Sequence, residues 1–253
     1  MFAPAQRTAG RKGNPPATRL SKRATWWGWR LKMTTQTSAP GTGGGPAQDD
    51  LEIVSLIATR LCHDLSGPVG ALAAGSEMLG DPDFLDETAA LLAHSSAGAM
   101  ARLRLLRAAF GVSGGGTTPF EETLIAYTDA VHGAEATLGF RIEAPHLLDQ
   151  GTLRQLALNM VLLVIDALPG RGTIHTSVSQ TDQGPLIQVE AQAKRLTLQP
   201  ATLNALEGGR DTLSARTVQA YWLSCLARPF GGVELWQDQG TLRLSARLSS
   251  NSF

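Results

Sequence analysis

From Leu51 onward, apolar and small residues recur at alternating steps of three and four: Leu51, Val54, Ala58, Leu61, Leu65, Pro68, Leu72, Gly75 and Leu79. That spacing marks one side of a long helix with a seven-residue repeat. Asp49 or Asp50 stands where an N-cap is wanted, and Gly80 where a helix ends in a left-handed residue. Asp81-Pro82 then reads as N-cap and first residue of a second helix, on which Leu85, Ala89, Leu92, Ser96, Ala99, Leu103, Leu106 and Phe110 repeat the same steps. Almost no loop separates the two, so they are expected to form an antiparallel hairpin. A lone hairpin cannot bury both faces of its helices. Two chains are therefore expected to pair as a homodimer around a four-helix bundle.

Ser113 to Thr118 breaks this texture, and a mixed one follows. Phe120 to His132 reads as a helix, Thr137 to Glu143 as a strand, and Thr152 to Leu168 as a strongly apolar helix interrupted by Asn159 and Asp166. Gly172 to Ser179 and Leu186 to Lys194 alternate like a hairpin turning through Asp182-Gln183-Gly184. A helix is expected from Thr217 to Ala227, stopped by Pro229 and Gly231, then a closing hairpin of Val233 to Trp236 and Thr241 to Leu248. Helices mixed with mostly antiparallel strands predict a two-layer α/β sandwich, so the whole is α+β.

The chain has 253 residues, enough for one large domain or two small ones, and 43% of them are hydrophobic. Two cysteines exclude a disulfide-stapled secreted fold and a four-cysteine zinc site. The longest apolar run is too short and too polar to span a bilayer. A soluble, cytoplasmic protein from a reducing compartment is the expectation.

Charge is unevenly spread. Residues 1–48 hold Arg7, Arg11, Lys12, Arg19, Lys22, Arg23, Arg30 and Lys32, while all 22 acidic side chains lie beyond them. The acidic remainder argues against nucleic acid as its partner. The basic head reads as a disordered segment: a nucleic-acid arm, a targeting peptide, or sequence ahead of a second start at Met33.

The informative segment is Leu61-Cys62-His63-Asp64-Leu65-Ser66-Gly67-Pro68-Val69-Gly70. With Leu61 and Leu65 turned to the core, His63 lies on the outward side of its helix. Ser66, Gly67 and Gly70 lie one turn on, and Thr59 and Arg60 one turn before. Each glycine costs a helix about 1 kcal/mol against alanine, and Pro68 forfeits a hydrogen bond. A helix selected only for stability would not gather them in one turn. Together they describe a bare surface around an exposed imidazole, on which another domain can sit closely. Asp64 can accept a hydrogen bond from the ring, fixing its tautomer and leaving the other nitrogen free to attack. Arg60 is either a phosphoryl contact or a solvated arginine. Val69, Leu72 and Ala73 are docking candidates, with core packing the competing role for Leu72. No His, Cys or Asp stands at the spacing needed to share a metal with His63, and Cys62 reads as a semi-buried small residue.

His63 to Pro68 resembles the phosphoacceptor box of sensor histidine kinases, His-Glu-Leu-x-Thr-Pro, with proline five residues after histidine. Gln155 to Ile174 resembles the kinase N-box helix with its following turn and strand, and Tyr221 to Leu244 the closing helix and hairpin of the ATP-binding domain. The departures redirect the function. Asn159 matches the first N-box asparagine, but Leu163 replaces the second, and leucine offers no oxygen to magnesium. Val189 to Ala193 replaces the glycine-rich adenine motif, and Leu213 to Thr217 the phosphate lid.

A phosphoacceptor histidine on a kinase-like body without its ATP motifs is the pattern of the ChpT-type bacterial histidine phosphotransferases. LCHDLSGPVGAL and ARLRLLRAAFG resemble that family. The resemblance divides the chain into residues 1–48, a phosphotransfer and dimerisation hairpin at 49–112, and a degenerate kinase-like ATP-binding domain at 117–250. It implies a homodimeric phosphotransferase that accepts a phosphoryl group on His63 from the receiver domain of a hybrid histidine kinase. Asp64 orients His63, and Arg60, Ser66, Gly67, Val69 and Gly70 dock the receiver. Onward transfer goes to response-regulator receivers, in that family CtrA and CpdR. No cofactor is implied, the magnesium belonging to the receiver, and neither nucleic acid nor membrane is a partner. Gly67 stands where kinases carry Thr or Asn used in dephosphorylation, which suits a relay. The rival readings are an active histidine kinase, a non-catalytic receiver-binding scaffold, and phosphorylation at His94.

Overall fold

The computed structural model describes residues 46–79, 83, 85–111 and 118–248. The expectations for residues 1–45, for Gly80 and Asp81-Pro82, and for the break at 113–117 lie outside the described residues. The elements are helices α1 (Pro46–Met78) and α2 (Leu85–Phe110), α3 (Phe120–His132), strand β1 (Ala136–Ile142), α4 (Gly151–Asp166), β2 (Gly172–Thr181), β3 (Gly184–Ala193), α5 (Pro200–Leu206), α6 (Val218–Ala227), β4 (Glu234–Asp238) and β5 (Thr241–Arg247). Every element read from the sequence is present. The short helix α5 was not foreseen; Pro200 at its first position starts it.

α1 and α2 pack against each other along the hairpin, with Gly75 brought up to Leu92. α1 runs unbroken through Pro68. It begins at Pro46, so neither Asp49 nor Asp50 caps it; Asp49 instead accepts a 2.9 Å hydrogen bond from Arg210 of the second domain.

The inner line of α1 departs from the expected one in its first half and at its end, where Leu79 is exposed. Leu61, Leu65, Pro68, Leu72 and Gly75 do turn inward, but Ile53, Ile57 and Arg60 replace Leu51, Val54 and Ala58. Leu51 and Val54 are 66% and 61% exposed. The cause is the second domain, against which this half packs: α1 touches α6, and Ile53 lies on the core.

On α2 the buried residues are Thr88, Ser95, Gly98, Ala101, Leu105, Leu106, Ala108 and Ala109, with Leu92 and Ala99 half-buried, whereas Leu85, Ala89, Ser96 and Leu103 face outward. Several of the buried positions are small or polar, so hydrophobicity alone marks the inward side incompletely. The outward apolar residues form a second stripe, including Met100 and Leu103.

The second domain is a five-stranded sheet in the order β1-β2-β3-β5-β4 with helices on one face. β1 and β2 are parallel, since α4 crosses over between them, and the other pairings are antiparallel. Alternation along the strands is clean. Ile174, Val178, Ile187, Val189, Leu242 and Leu244 turn to the helices and are buried, while His175, Glu190 and Arg243 lie on the open face. α4 is the core helix: Leu156 through Ile165 are all buried. Gly240, at φ 78°, turns β4 into β5 against Ala193, whose carbonyl lies only 2.8 Å from where a Cβ would stand.

Candidate functional site

The hairpin carries His63 on the solvent side of α1, with 85% of its side chain exposed. One residue on, Asp64 is turned partly inward. Its Oδ1 lies 3.3 Å from His63 Nδ1, and its Oδ2 accepts from Arg60 Nε at 3.2 Å. Arg60 is no solvated side chain. Only 11% of it is exposed; its Nη2 donates to Asp166 of α4 at 2.6 Å and its Nη1 to the Arg216 carbonyl at 3.3 Å. The reason is its place on α1: position 60 lies on the face that packs against the second domain, so the guanidinium meets that domain rather than a docking partner.

Electrostatics keep this chain of contacts ionic. Burial by itself would lower the Arg60 pKa, but Asp166 and then Asp64 outweigh it and hold the guanidinium charged above its ordinary value. The neighbouring Tyr127 phenol is pushed well above its ordinary range by burial and by the charges of Asp166 and Asp64, so it stays neutral.

The surface around the ring is as open as expected. A Cβ added at Gly67 or Gly70 would meet no atom within 4 Å. Ser66 is exposed, with its hydroxyl turned back to the Cys62 carbonyl at 2.6 Å, and Val69 is exposed beside them. Cys62 is exposed rather than semi-buried. Leu72 packs inward, while Ala73 is exposed. His63, Asp64, Ser66, Gly67, Val69 and Gly70 thus share one region of α1, and Arg60 supports it from beneath. His94 is exposed on α2 in another cavity, with Arg104 and Asp129.

Asn159, the polar residue within the buried run of α4, is consumed within the fold. It is fully buried; its side-chain amide donates to the Ala109 and Gln155 carbonyls at 2.9 Å, and its backbone carbonyl accepts from Gln219 at 2.7 Å. Leu163 lies in the core. In the segment 213–217, Thr217 Oγ1 accepts from the Ser214 N–H and donates to the Thr212 carbonyl. Among the described residues no three His, Cys, Asp or Glu side chains gather as metal ligands, and no helix is long and apolar enough to cross a membrane.

Sequence reasoning missed Asp166, Tyr127 and the Arg216 carbonyl. One signal was available: Asp166 interrupts an otherwise apolar helix, and a carboxylate kept there needs a partner. Which residue supplied it could not be read from the chain order.

Residues 120–241 match the family model of the histidine phosphotransferase C-terminal domain. Over 190 residues the chain is 29% identical to the protein phosphotransferase ChpT of Brucella abortus (strain 2308), covering 72% of this chain and 88% of that one. A solved structure of a bacterial phosphotransferase superposes with a TM-score of 0.67 at 24% identity, covering 83% of this chain and all of the other. The α+β architecture read from the sequence is thereby shown.

Proposed function

We propose that this chain, whose residues 120–241 match the family model of the histidine phosphotransferase C-terminal domain, is a phosphorelay histidine phosphotransferase with His63 as its phosphoacceptor. The observation that carries the reading is an exposed imidazole with a carboxylate on its Nδ1 side, in a patch without side-chain bulk. With Asp64 accepting from Nδ1–H, the lone pair lies on Nε2 and points to solvent. Nε2 attacks the phosphorus of an aspartyl phosphate on a docked receiver. The P–N bond forms as the P–O bond to the aspartate breaks, and the receiver regains its free carboxylate. Asp64 balances the positive charge that develops on the ring. Reversal of the step on a second receiver passes the group on. Magnesium bound by the receiver supplies charge stabilisation at the phosphoryl oxygens, so His63 and Asp64 need no metal of their own.

The donor is the receiver domain of a hybrid kinase, and the recipients are response-regulator receivers of the CtrA-like and CpdR-like kind. Exposed Leu51, Val54, Leu85, Met100 and Leu103 support a homodimer through a four-helix bundle. The acidic body supports protein rather than nucleic-acid partners. The engagement of Asn159 in the core and Leu163 at the second N-box position support transfer without ATP.

A three-component assay tests this: a phosphorylated receiver, the chain, and a second receiver. Phosphate is expected to pass through the wild type and not through His63→Ala. Flow that persists in His63→Ala would leave a scaffold. Strong self-labelling from ATP and magnesium would instead make the chain a kinase.

A further inference from the structure

Asp166 stands at the last residue of α4, where the helix dipole disfavours an anion. The local backbone does not need its carboxylate: the following N–H of Ala167 bonds to the Leu163 and Val164 carbonyls. What the carboxylate does hold is Arg60 of the other domain, at 2.6 Å. Arg60 in turn holds Asp64 Oδ2, and Asp64 Oδ1 is the atom beside His63 Nδ1.

An Arg60–Asp64 pair one helical turn apart, left in water, would exchange rotamers freely. Arg60 is instead anchored from both ends. Asp166 and the Arg216 carbonyl fix it from the second domain, and burial removes competing water. The charged and titratable groups facing this cluster are Asp64 and His63 from α1, Arg102 from α2, Tyr127 from α3 and Asp166 from α4. Tyr127 stays protonated, so Asp64 and Asp166 are the anions that share Arg60.

We propose that Asp166 is a positioning residue for phosphotransfer: through Arg60 it locks Asp64 so that one carboxylate oxygen faces His63 Nδ1, keeping the proton there and the reactive lone pair on Nε2. The inference rests on the phosphorelay reading of His63. It gives the second domain a part in the chemistry, distinct from nucleotide binding.

The test compares the full chain with Asp166→Asn, Asp166→Glu and Arg210→Ala. Arg210 also ties α1 to the second domain, through Asp49 at 2.9 Å, but lies outside the chain of contacts to His63. Two readouts are taken: the 15N shifts of the His63 ring, which report its tautomer, and the rate of phosphoryl uptake from a phosphorylated receiver. Asp166→Asn is expected to move the ring toward the tautomer mixture of a free imidazole and to slow uptake roughly tenfold, as loss of an orienting outer partner does. Asp166→Glu is expected to restore part of both. Arg210→Ala should lower thermal stability while leaving the tautomer unchanged. If Asp166→Asn is unstable, Arg60→Gln repeats the test with the same expectation.

A wild type that takes up phosphate, matched by Asp166→Asn in rate and tautomer, overturns this inference alone. Equal effects of Asp166→Asn and Arg210→Ala on the tautomer also overturn it, leaving a merely structural tie. A wild type that takes up no phosphate overturns the phosphorelay reading, and this inference with it.

Discussion

Gly70 lies two turns beyond His63 on the same helix, exposed, with nothing within 4 Å of where a Cβ would stand. The chain's own fold therefore gains nothing from glycine there. Replacing it with alanine should stabilise α1 by about 0.8–1 kcal/mol, and leucine, nearly as good a helix former, should do almost as well. For a folded body of this size that is a rise of about 2–4 °C in melting temperature. If a receiver sits on this patch, the same side chains intrude on its surface. An overpacked contact costs about 1–3 kcal/mol, and each 1.4 kcal/mol is tenfold in affinity. Gly70→Ala should slow transfer slightly and Gly70→Leu about tenfold, while both proteins melt higher than the wild type. Calorimetry and the receiver-to-His63 transfer assay read the two effects separately. Transfer that is unchanged in Gly70→Leu would show that the patch is not the docking surface. A lower melting temperature would show that Gly70 serves a contact within the protein. Gly67 should respond less clearly, because the ring of Pro68 crowds any side chain placed just before it.

Leu103→Glu puts a charge on the outward stripe of α2, where Leu103 is 46% exposed, and should yield a monomer by light scattering. Asn159→Leu leaves the buried Ala109 carbonyl without its side-chain donor, while Gln219 keeps its bond to the backbone carbonyl at position 159, and should cost about 1–3 kcal/mol in denaturant unfolding. On the open sheet face, hydrogen bonds from Gln192 and Arg243 hold the Glu190 carboxyl below its ordinary range. Its contribution to stability is thus full above that ordinary range and lost as pH falls through the lowered value. Glu190→Gln should accordingly flatten the acid limb of the stability–pH curve while changing little under strongly acidic conditions.

The sequence determined the element order and the character of each element. Period-three-and-four spacing set the two long helices, strict alternation set the strands, and Asp182-Gln183-Gly184 and Pro229 with Gly231 marked breaks that the fold keeps. It also placed the exposed imidazole, because Leu61 and Leu65 fix which way His63 points, and because glycine in a helix interior has a cost that local stability does not explain. What it could not decide was which of two apolar stripes on each helix lies inward. Thr88, Ser95 and Gly98 are buried on α2 and Gly75 is buried on α1, and small or polar side chains leave no hydrophobic signature. Nor could it decide what Arg60 touches. Arg60 and Asp166 are 106 positions apart in the chain, and their 2.6 Å contact exists only because the second domain folds back onto the first half of α1. Periodicity reports how a segment meets its surroundings on average; pairing of particular charges depends on where distant segments come to rest.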